Sequence, residues 1–552
     1  MLGSLIPTRP TRDSWYLQAG GPLLVDVEKC GGLLGPGPEG VDGALRLMLR
    51  HADKRPGALA LQDEHGRCTY GELAERVVAT AAGLASVGVE PGDRVALWLP
   101  NSAAFIVTAI ACLWLGAPFV PLSVEDPLAR LSRTVEDCDP MVIVSAGVEL
   151  PGGDPVALGR PVVTVPDLLA EGGRVPPPAS DPERDAYLIY TSGTTGSPKG
   201  IRTPEKAFRA AIVSVAGLFG LDDTTRALCV SPFHFDGSFG TAFPTLVAGG
   251  ALVIPRRERM LFVRPFFAAL LEEGITHAGF SPSYLRLLLS FPSSSSLSDS
   301  RLRTLGLGGE ECAAADVAKL WELVPALRVF NRYGPTETTI EVTTYEVRRE
   351  DVAHGVIPIG LPHPGVGFHV LTEEGVPVSH PGEIGELYIS GSQLMRGYWR
   401  DDELTARVLR DDVVAGATLY RTGDLVYRDH EDRYVYVGRT DSVVKRNGVR
   451  VSLREIARVL GEVSGVRAAL CLLTDRNGRL GITGFVEAGP EVTVPALMEA
   501  AASQLPSTML PDEVFVLPTL PLSSTGKIDG SRLLVDAGRR RWEPERTPQP
   551  VG

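Results

Sequence analysis

Apolar and polar positions along the chain follow two alternating rhythms. Short, nearly unbroken apolar runs read as buried strands, and longer stretches with apolar residues spaced for one face of a helix read as helices. Residues 41–52 predict a first amphipathic helix, and Ala58-Leu59-Ala60-Leu61 a short strand. Thr69-Tyr70-Gly71-Glu72 then opens a second helix, with Thr69 as N-cap and Glu72 three positions on, where its carboxylate can return to the cap. Strands follow at residues 93–99, 119–122 and 141–145, separated by helices at 102–115 and 128–138. This strand–helix–strand order implies a parallel sheet covered by helices. Residues 151–184 are rich in Pro and Gly and read as a connection. The alternation resumes with strands at 228–230, 251–254 and 305–307, and the serine run at 293–300 reads as a surface loop.

From about Gly365 the rhythm changes. Segments such as Val366-Gly367-Phe368-His369-Val370-Leu371 and Gly385-Glu386-Leu387-Tyr388-Ile389 are short strands separated by turn residues, which suggests an antiparallel, barrel-like region. After Gly438-Arg439-Thr440-Asp441 a smaller α+β segment begins, with helices at 453–460 and 494–505 and strands at 468–473, 481–486 and 513–516. The expected division is therefore residues 1–440 and residues 441–552. The Gly/Pro-rich first 43 residues read as a loose arm, and the end beyond Arg539-Arg540-Arg541 as a solvated tail.

At 552 residues the chain exceeds one ordinary core. Its 44% hydrophobic and 22% charged content is that of a globular protein in water. A net charge of −13 argues against nucleic acid as the main partner. The 7 cysteines are scattered, form no CxxC pair and are odd in number, which fits reduced thiols in a cytoplasm. The best apolar run, residues 105–120, is short and broken by Gly116 and Pro118, so no membrane span is expected, nor is a signal peptide.

The candidate chemistry centres on Tyr190-Thr191-Ser192-Gly193-Thr194-Thr195-Gly196-Ser197-Pro198-Lys199-Gly200. Glycines allow close backbone approach, successive N–H groups form an anion-binding concavity, and the hydroxyls and Lys199 add donors and a point charge. The apolar run before it is a strand feeding the loop. Pro198 and Gly200 flank the lysine and oppose the immediate helix of an ordinary P-loop. The string reads as a polyphosphate-gripping loop. It resembles the phosphate loop of the adenylate-forming superfamily, which includes the amino-acid-activating adenylation domains of nonribosomal peptide synthetases, acyl-CoA synthetases and luciferases.

Three more motifs extend the resemblance in order. In Asn331-Arg332-Tyr333-Gly334-Pro335-Thr336-Glu337, Gly-Pro forces a turn and Glu337 offers a carboxylate suited to Mg²⁺ beside a polyphosphate. The resemblance implies that Thr336 contacts the α-phosphate, Glu337 holds Mg²⁺, and Asn331 and Tyr333 border adenine. In Arg421-Thr422-Gly423-Asp424, the carboxylate could accept hydrogen bonds from both ribose hydroxyls. Tyr436 then matches an aromatic against adenine, Arg439 an arginine on the nucleotide sugar, and Gly309 and Glu310 further nucleotide-side positions. In Ser524-Thr525-Gly526-Lys527, the lysine matches a catalytic cation that stabilises charge as a carboxylate attacks the α-phosphate. Asp441 matches a hinge about which the small domain swings between two steps. The glycine-bearing loop after it would line the tunnel for a phosphopantetheine thiol.

Phe235-Asp236-Gly237 bears on the substrate. A buried aspartate is costly unless paired with a cation, and an amino group supplies one. By resemblance Asp236 holds a substrate ammonium, and Gly237, Gly240, Gly279, Leu307, Gly309, Arg332, Ile340 and Glu341 line the pocket. Gly240 stands where many relatives carry a large aromatic, which suits a β-amino acid or a displaced backbone. Arg332 could hold a second carboxylate bidentately or be neutralised by Glu341.

The expected fold is α/β: a large lobe of αβαβα layered sheets with a barrel-like subdomain, then a small mobile α+β domain. The expected activity is Mg-ATP-dependent conversion of an amino acid, β or acidic ones included, to aminoacyl-AMP, then transfer to the phosphopantetheine thiol of a separate carrier protein. No carrier or condensation motif occurs in the sequence. The alternatives are an acyl- or aryl-CoA ligase of the same fold, against which Asp236 argues, and a catalytically dead nucleotide-binding scaffold.

Overall fold

The computed structural model describes residues 43–146, 154, 158–170, 173–178, 181–192, 198–256, 260, 262–414, 416–439, 443–446, 449–476, 479–521, 528 and 530–538. Two large sheets dominate. In the 7-stranded sheet, Val162–Thr164, Val142–Ser145, Val95–Trp98, Phe119–Pro121 and Asp185–Ser192 run parallel, followed by antiparallel Pro198–Pro204 and Gly397–Tyr398. In the 8-stranded sheet, Leu59–Asp63, Ala251–Val253, Arg226–Cys229, His277–Phe280, Thr304–Gly308 and Arg328–Tyr333 are parallel, with antiparallel strands Gly66–Thr69 and Thr343–Glu346 at the edges.

Strand alternation explains the layering. Val95 and Leu97 join a core shared with residues of the other sheet and with helices Gly43–Lys54, Tyr70–Ser86, Ala103–Leu115 and Phe239–Ala248. Ala96 and Trp98 point the other way, against Leu131, Val135 and Cys138 of helix Leu128–Cys138. Successive side chains of a strand leave by opposite faces. Both faces are thus apolar, and the αβαβα order follows. The Thr69–Glu72 capping box is present in both directions. Residues 151–184, read as connection, also hold strand Val162–Thr164 and helix Val165–Ala170. The serine run is wound into 3-10 turns, Pro292–Asp299.

A 5-stranded antiparallel sheet, formed by Val366–Leu371, Gly385–Gly391, Ala417–Arg428, Leu409–Val414 and Tyr434–Arg439, is the half-barrel. C-terminal to it, a hairpin of Val443–Arg446 and Val449–Ser452 and a 3-stranded sheet pack with helices Leu453–Gly461 and Val494–Gln504 around a core drawn from residues 444–516 alone. This unit touches the large lobe through a buried ion pair. Arg130 Nη1 donates to Glu455 Oε1 at 2.7 Å, while Arg130 Nε lies 3.2 Å from Asp126 Oδ2. The expected hinge, Asp441, lies outside the described residues.

Candidate active site

The phosphate motif lies at the end of an antiparallel hairpin. Asp185–Ser192 and Pro198–Pro204 pair from Asp185↔Pro204 out to Ser192↔Pro198. The next helix starts only at Glu205, as the Pro and Gly around Lys199 suggested. Gly193, Thr194 and Thr195, between the strands, lie outside the described residues, as does the side chain of Ser192.

The outer strand pairs in turn with Gly397–Tyr398, Tyr398 opposite Ile201. That register brings Tyr398 to Lys199 and Glu337. Lys199 Nζ donates to the Tyr398 hydroxyl at 2.9 Å, the hydroxyl donates to Glu337 Oε1 at 2.8 Å, and Nζ is 3.6 Å from the same oxygen. Glu337 is fully buried on the 3-10 turn Thr336–Thr338. Motif spacing did not reveal Tyr398, because the contact depends on strand pairing. The Tyr398→Phe variant removes a donor to this buried carboxylate. It is expected to raise the Mg-ATP concentration needed for half-maximal rate by about tenfold, read by magnesium and ATP titrations.

Beyond the turn the backbone is forced. Thr339 and Ile340 have φ of 60° and 68°, a region that a β-branched residue enters only under strain costing about 1–3 kcal/mol. Gly334 is required opposite them, since a Cβ there would run into Glu341 Cα. Gln393 holds the loop: its Nε2 donates to the Thr339 and Glu341 carbonyls, and its own carbonyl accepts from the Thr339 hydroxyl. The strained loop delivers the Ile340 N–H toward Asp236 and the Glu341 carboxylate to Arg332.

Asp236 begins a 3-10 turn that leads into helix Phe239–Ala248. Its Oδ2 is buried without a hydrogen-bond partner among the described residues. Burial pushes its pKa up to about 6; the Thr336 hydroxyl draws it down and the negative charge of Glu337 raises it again. Such a carboxylate is short of one cation.

At the other end of the site, Asp424 accepts from the Tyr333 hydroxyl at 2.6 Å and from Arg439 Nη1 at 2.5 Å. Its backbone is fixed by the Thr422 hydroxyl. The Tyr436 and Tyr333 rings lie 6.4 Å apart. Asn331 Nδ2 donates to the Pro358 carbonyl at 2.9 Å, and Glu310 accepts from the backbone N–H and hydroxyl of Ser283 at a helix start.

A cavity of about 2730 Å³ joins these groups. Thr191, Gly309, Glu310, Asn331, Tyr333, Thr336, Asp424, Tyr436 and Arg439 border it on the expected nucleotide side. Asp236, Gly237, Gly279, Arg332, Ile340 and Glu341 border it on the expected substrate side, and Val444 and Arg446 of the small unit also reach it. Lys199 and Glu337 are not among the residues that line it. Leu307 is a correction: it is fully buried in the outer core, because in Thr304–Gly308 the neighbours Gly306 and Gly308 are the ones facing Arg332. Gly240 likewise stands behind the Arg332 guanidinium and off the cavity surface. Lys527 lies outside the described residues.

Layered lobe, half-barrel and hairpin-borne phosphate motif together define an adenylate-forming enzyme, and the chain belongs to the AMP-binding enzyme family, whose model matches residues 48–399. Among curated relatives it is 32% identical over 513 residues to enterobactin synthase component F of Escherichia coli O157:H7, covering 88% of this chain and 39% of that protein. The chain thus spans about two-fifths of that relative's length. To novobiocin biosynthesis protein H of Streptomyces niveus it is 32% identical over 524 residues, covering 92% of this chain and 83% of the other. Among solved structures, holo-PA1221, described as an NRPS protein containing adenylation and PCP domains bound to a vinylsulfonamide inhibitor, superposes with a TM-score of 0.80 at 25% identity, over 91% of this chain and 85% of that one. IdnL1 superposes with a TM-score of 0.75 at 29% identity, over 88% and 100%.

Proposed function

We propose that the enzyme activates an amino acid with Mg-ATP, forming aminoacyl-AMP and pyrophosphate, and passes the acyl group to the phosphopantetheine thiol of a carrier protein. The observation that carries the amino-acid reading is Asp236: a carboxylate on the cavity wall with a raised pKa and a buried oxygen that has no partner among the described residues. An ammonium supplies the missing charge, whereas a fatty or aryl acid would leave the aspartate unmatched. The amine at Asp236 orients the substrate so that its carboxylate faces the α-phosphate near Thr336. Asp424, held by Tyr333 and Arg439, keeps lone pairs for the ribose hydroxyls, and Tyr436 with Tyr333 offers an aromatic boundary for adenine.

The residues around Lys199 fit a nucleotide-bound magnesium. Glu337 is a hard oxygen donor next to the phosphate hairpin, and Mg²⁺ usually takes one or two protein carboxylates and completes its shell with phosphate oxygens and water. When bound it would neutralise part of the phosphate charge, with Glu337 as its protein ligand. Lys527 is assigned the developing negative charge at the α-phosphate, and the small unit must then close over the nucleotide for the first step.

Pyrophosphate exchange tests the reading. Exchange is expected with amino acids and not with matched carboxylic acids lacking the amine. Faster exchange with the amine-free acids would instead favour the acyl- or aryl-CoA ligase, and ATP binding without any exchange would favour a scaffold.

A further inference from the structure

We infer that the amino acid this enzyme activates has an uncharged side chain, and that the Arg332–Glu341 pair is the floor that selects it. This deepens the amino-acid reading above and rests on it. Arg332 leaves strand Arg328–Tyr333 and lies across the face of the sheet toward helix Phe239–Ala248. Glycines make its path. A Cβ on Gly308 would meet Arg332 Cβ at 3.0 Å, one on Gly306 its Cδ at 2.6 Å, one on Gly279 its Nη1 at 2.8 Å, and one on Gly240 would strike Nη2. The guanidinium therefore fills the space that side chains at those positions would take in a different pocket.

The charges of the described residues at this end can be counted. Arg332 donates through Nε and Nη2 to Glu341 Oε2, and Glu341 Oε1 accepts from the Thr344 hydroxyl at 2.8 Å. Thr344 is fixed in turn by His363 Nε2, and His363 Nδ1 by Gln393. Both members of the pair are buried. Burial lowers the pKa of the two buried histidines nearby, His277 to about 3 and His363 to about 4, while Glu341 and Gln393 pull that of His363 back up. Glu337 has its own cation in Lys199. Arg332 and Glu341 cancel, and Asp236 is left with a single negative charge, which one ammonium balances.

A second carboxylate on the substrate would have to pull Arg332 away from Glu341 and strand that buried anion, or else lie unpaired beside it; either is unfavourable. A second ammonium would meet the guanidinium. A neutral group meets neither penalty, and Arg332 Nη1, in front of Gly279, can serve a hydroxyl or amide oxygen.

The test is pyrophosphate exchange over charge-matched substrates: alanine, β-alanine, serine and asparagine against aspartate, glutamate and β-glutamate. The expected result is a kcat/KM for the best neutral substrate at least tenfold above that for any acidic one. The Glu341→Gln variant, which leaves Arg332 without its counter-ion, should move the asparagine-to-aspartate ratio at least tenfold toward aspartate. Wild-type preference for an acidic substrate overturns the inference, as does an unchanged ratio in a Glu341→Gln protein that melts cooperatively. Should that variant fail to fold, the wild-type comparison decides alone. Exchange only with acids lacking an amine would defeat the amino-acid reading itself, a different outcome from preference for the wrong amino acid.

Discussion

Replacing Asp236 by asparagine is expected to lower amino-acid-dependent exchange by about a hundred- to a thousandfold, the loss of a buried ion-pair partner, while making the substrate-free protein about 2 kcal/mol more stable at pH 8. The two effects share one cause. The folded-state pKa stands near 6, above the ordinary 3.8. Below about pH 4 the carboxyl is protonated in both folded and unfolded chains, so it contributes no difference. Between about pH 4 and pH 6 the unfolded chain releases its proton and the folded one retains it, so stability falls as pH rises. Above about pH 6 the penalty is complete, and the asparagine removes it. Melting curves at pH 8 and pH 4 should therefore separate the two proteins at the higher pH and superimpose them at the lower. In the wild type, the KM for the amino acid should climb as pH drops below about 6, because the ammonium needs the ionised partner. Equal stability at pH 8, or undiminished exchange in the variant, would defeat the assignment.

The second large effect concerns folding. Arg332→Met should destabilise the large lobe by about 3–5 kcal/mol, since it leaves Glu341 buried without its cation. Adding Glu341→Gln to that variant should restore the larger part, because the stranded charge disappears with it. Urea unfolding of the wild type, the single variant and the double variant measures both steps. A single variant within about 1 kcal/mol of wild type would mean that water reaches Glu341 freely.

The layered lobe was legible in the sequence because its local signals agree with its burial. The Thr69–Glu72 box opens one helix, Ser102 caps and left-handed Gly116 closes Ala103–Leu115, and left-handed Asp139 ends Leu128–Cys138. The Val162–Thr164 strand and Val165–Ala170 helix were not legible. The strand has three half-buried residues at a sheet edge, too few to establish a period. The residues expected on the nucleotide side stand in contiguous motifs, and those described border one cavity. Leu307 was misplaced because a motif carries no facing, whereas strand alternation puts Gly306 and Gly308 on the pocket side and Leu305 and Leu307 in the core. Tyr398 and Gln393 could not be read at all, since they lie 61 and 52 residues from Glu337 and Glu341 and meet them only through tertiary packing. The glycines at 240, 279, 306 and 308 acquire a common meaning only once the strand order places them under one arginine.

The pair between Arg130 and Glu455 has an asymmetric consequence. If the C-terminal unit pivots away, Arg130 keeps Asp126 as an ion-pair companion on its own lobe, whereas Glu455 leaves its ion pair behind, keeps only the longer-range attraction of Arg458 on its own helix, and must be rehydrated. The joint then behaves less like a free swivel than like a drawer with a magnetic catch: release draws on dissolved ions and water, and docking is guided over the last few ångströms by attraction.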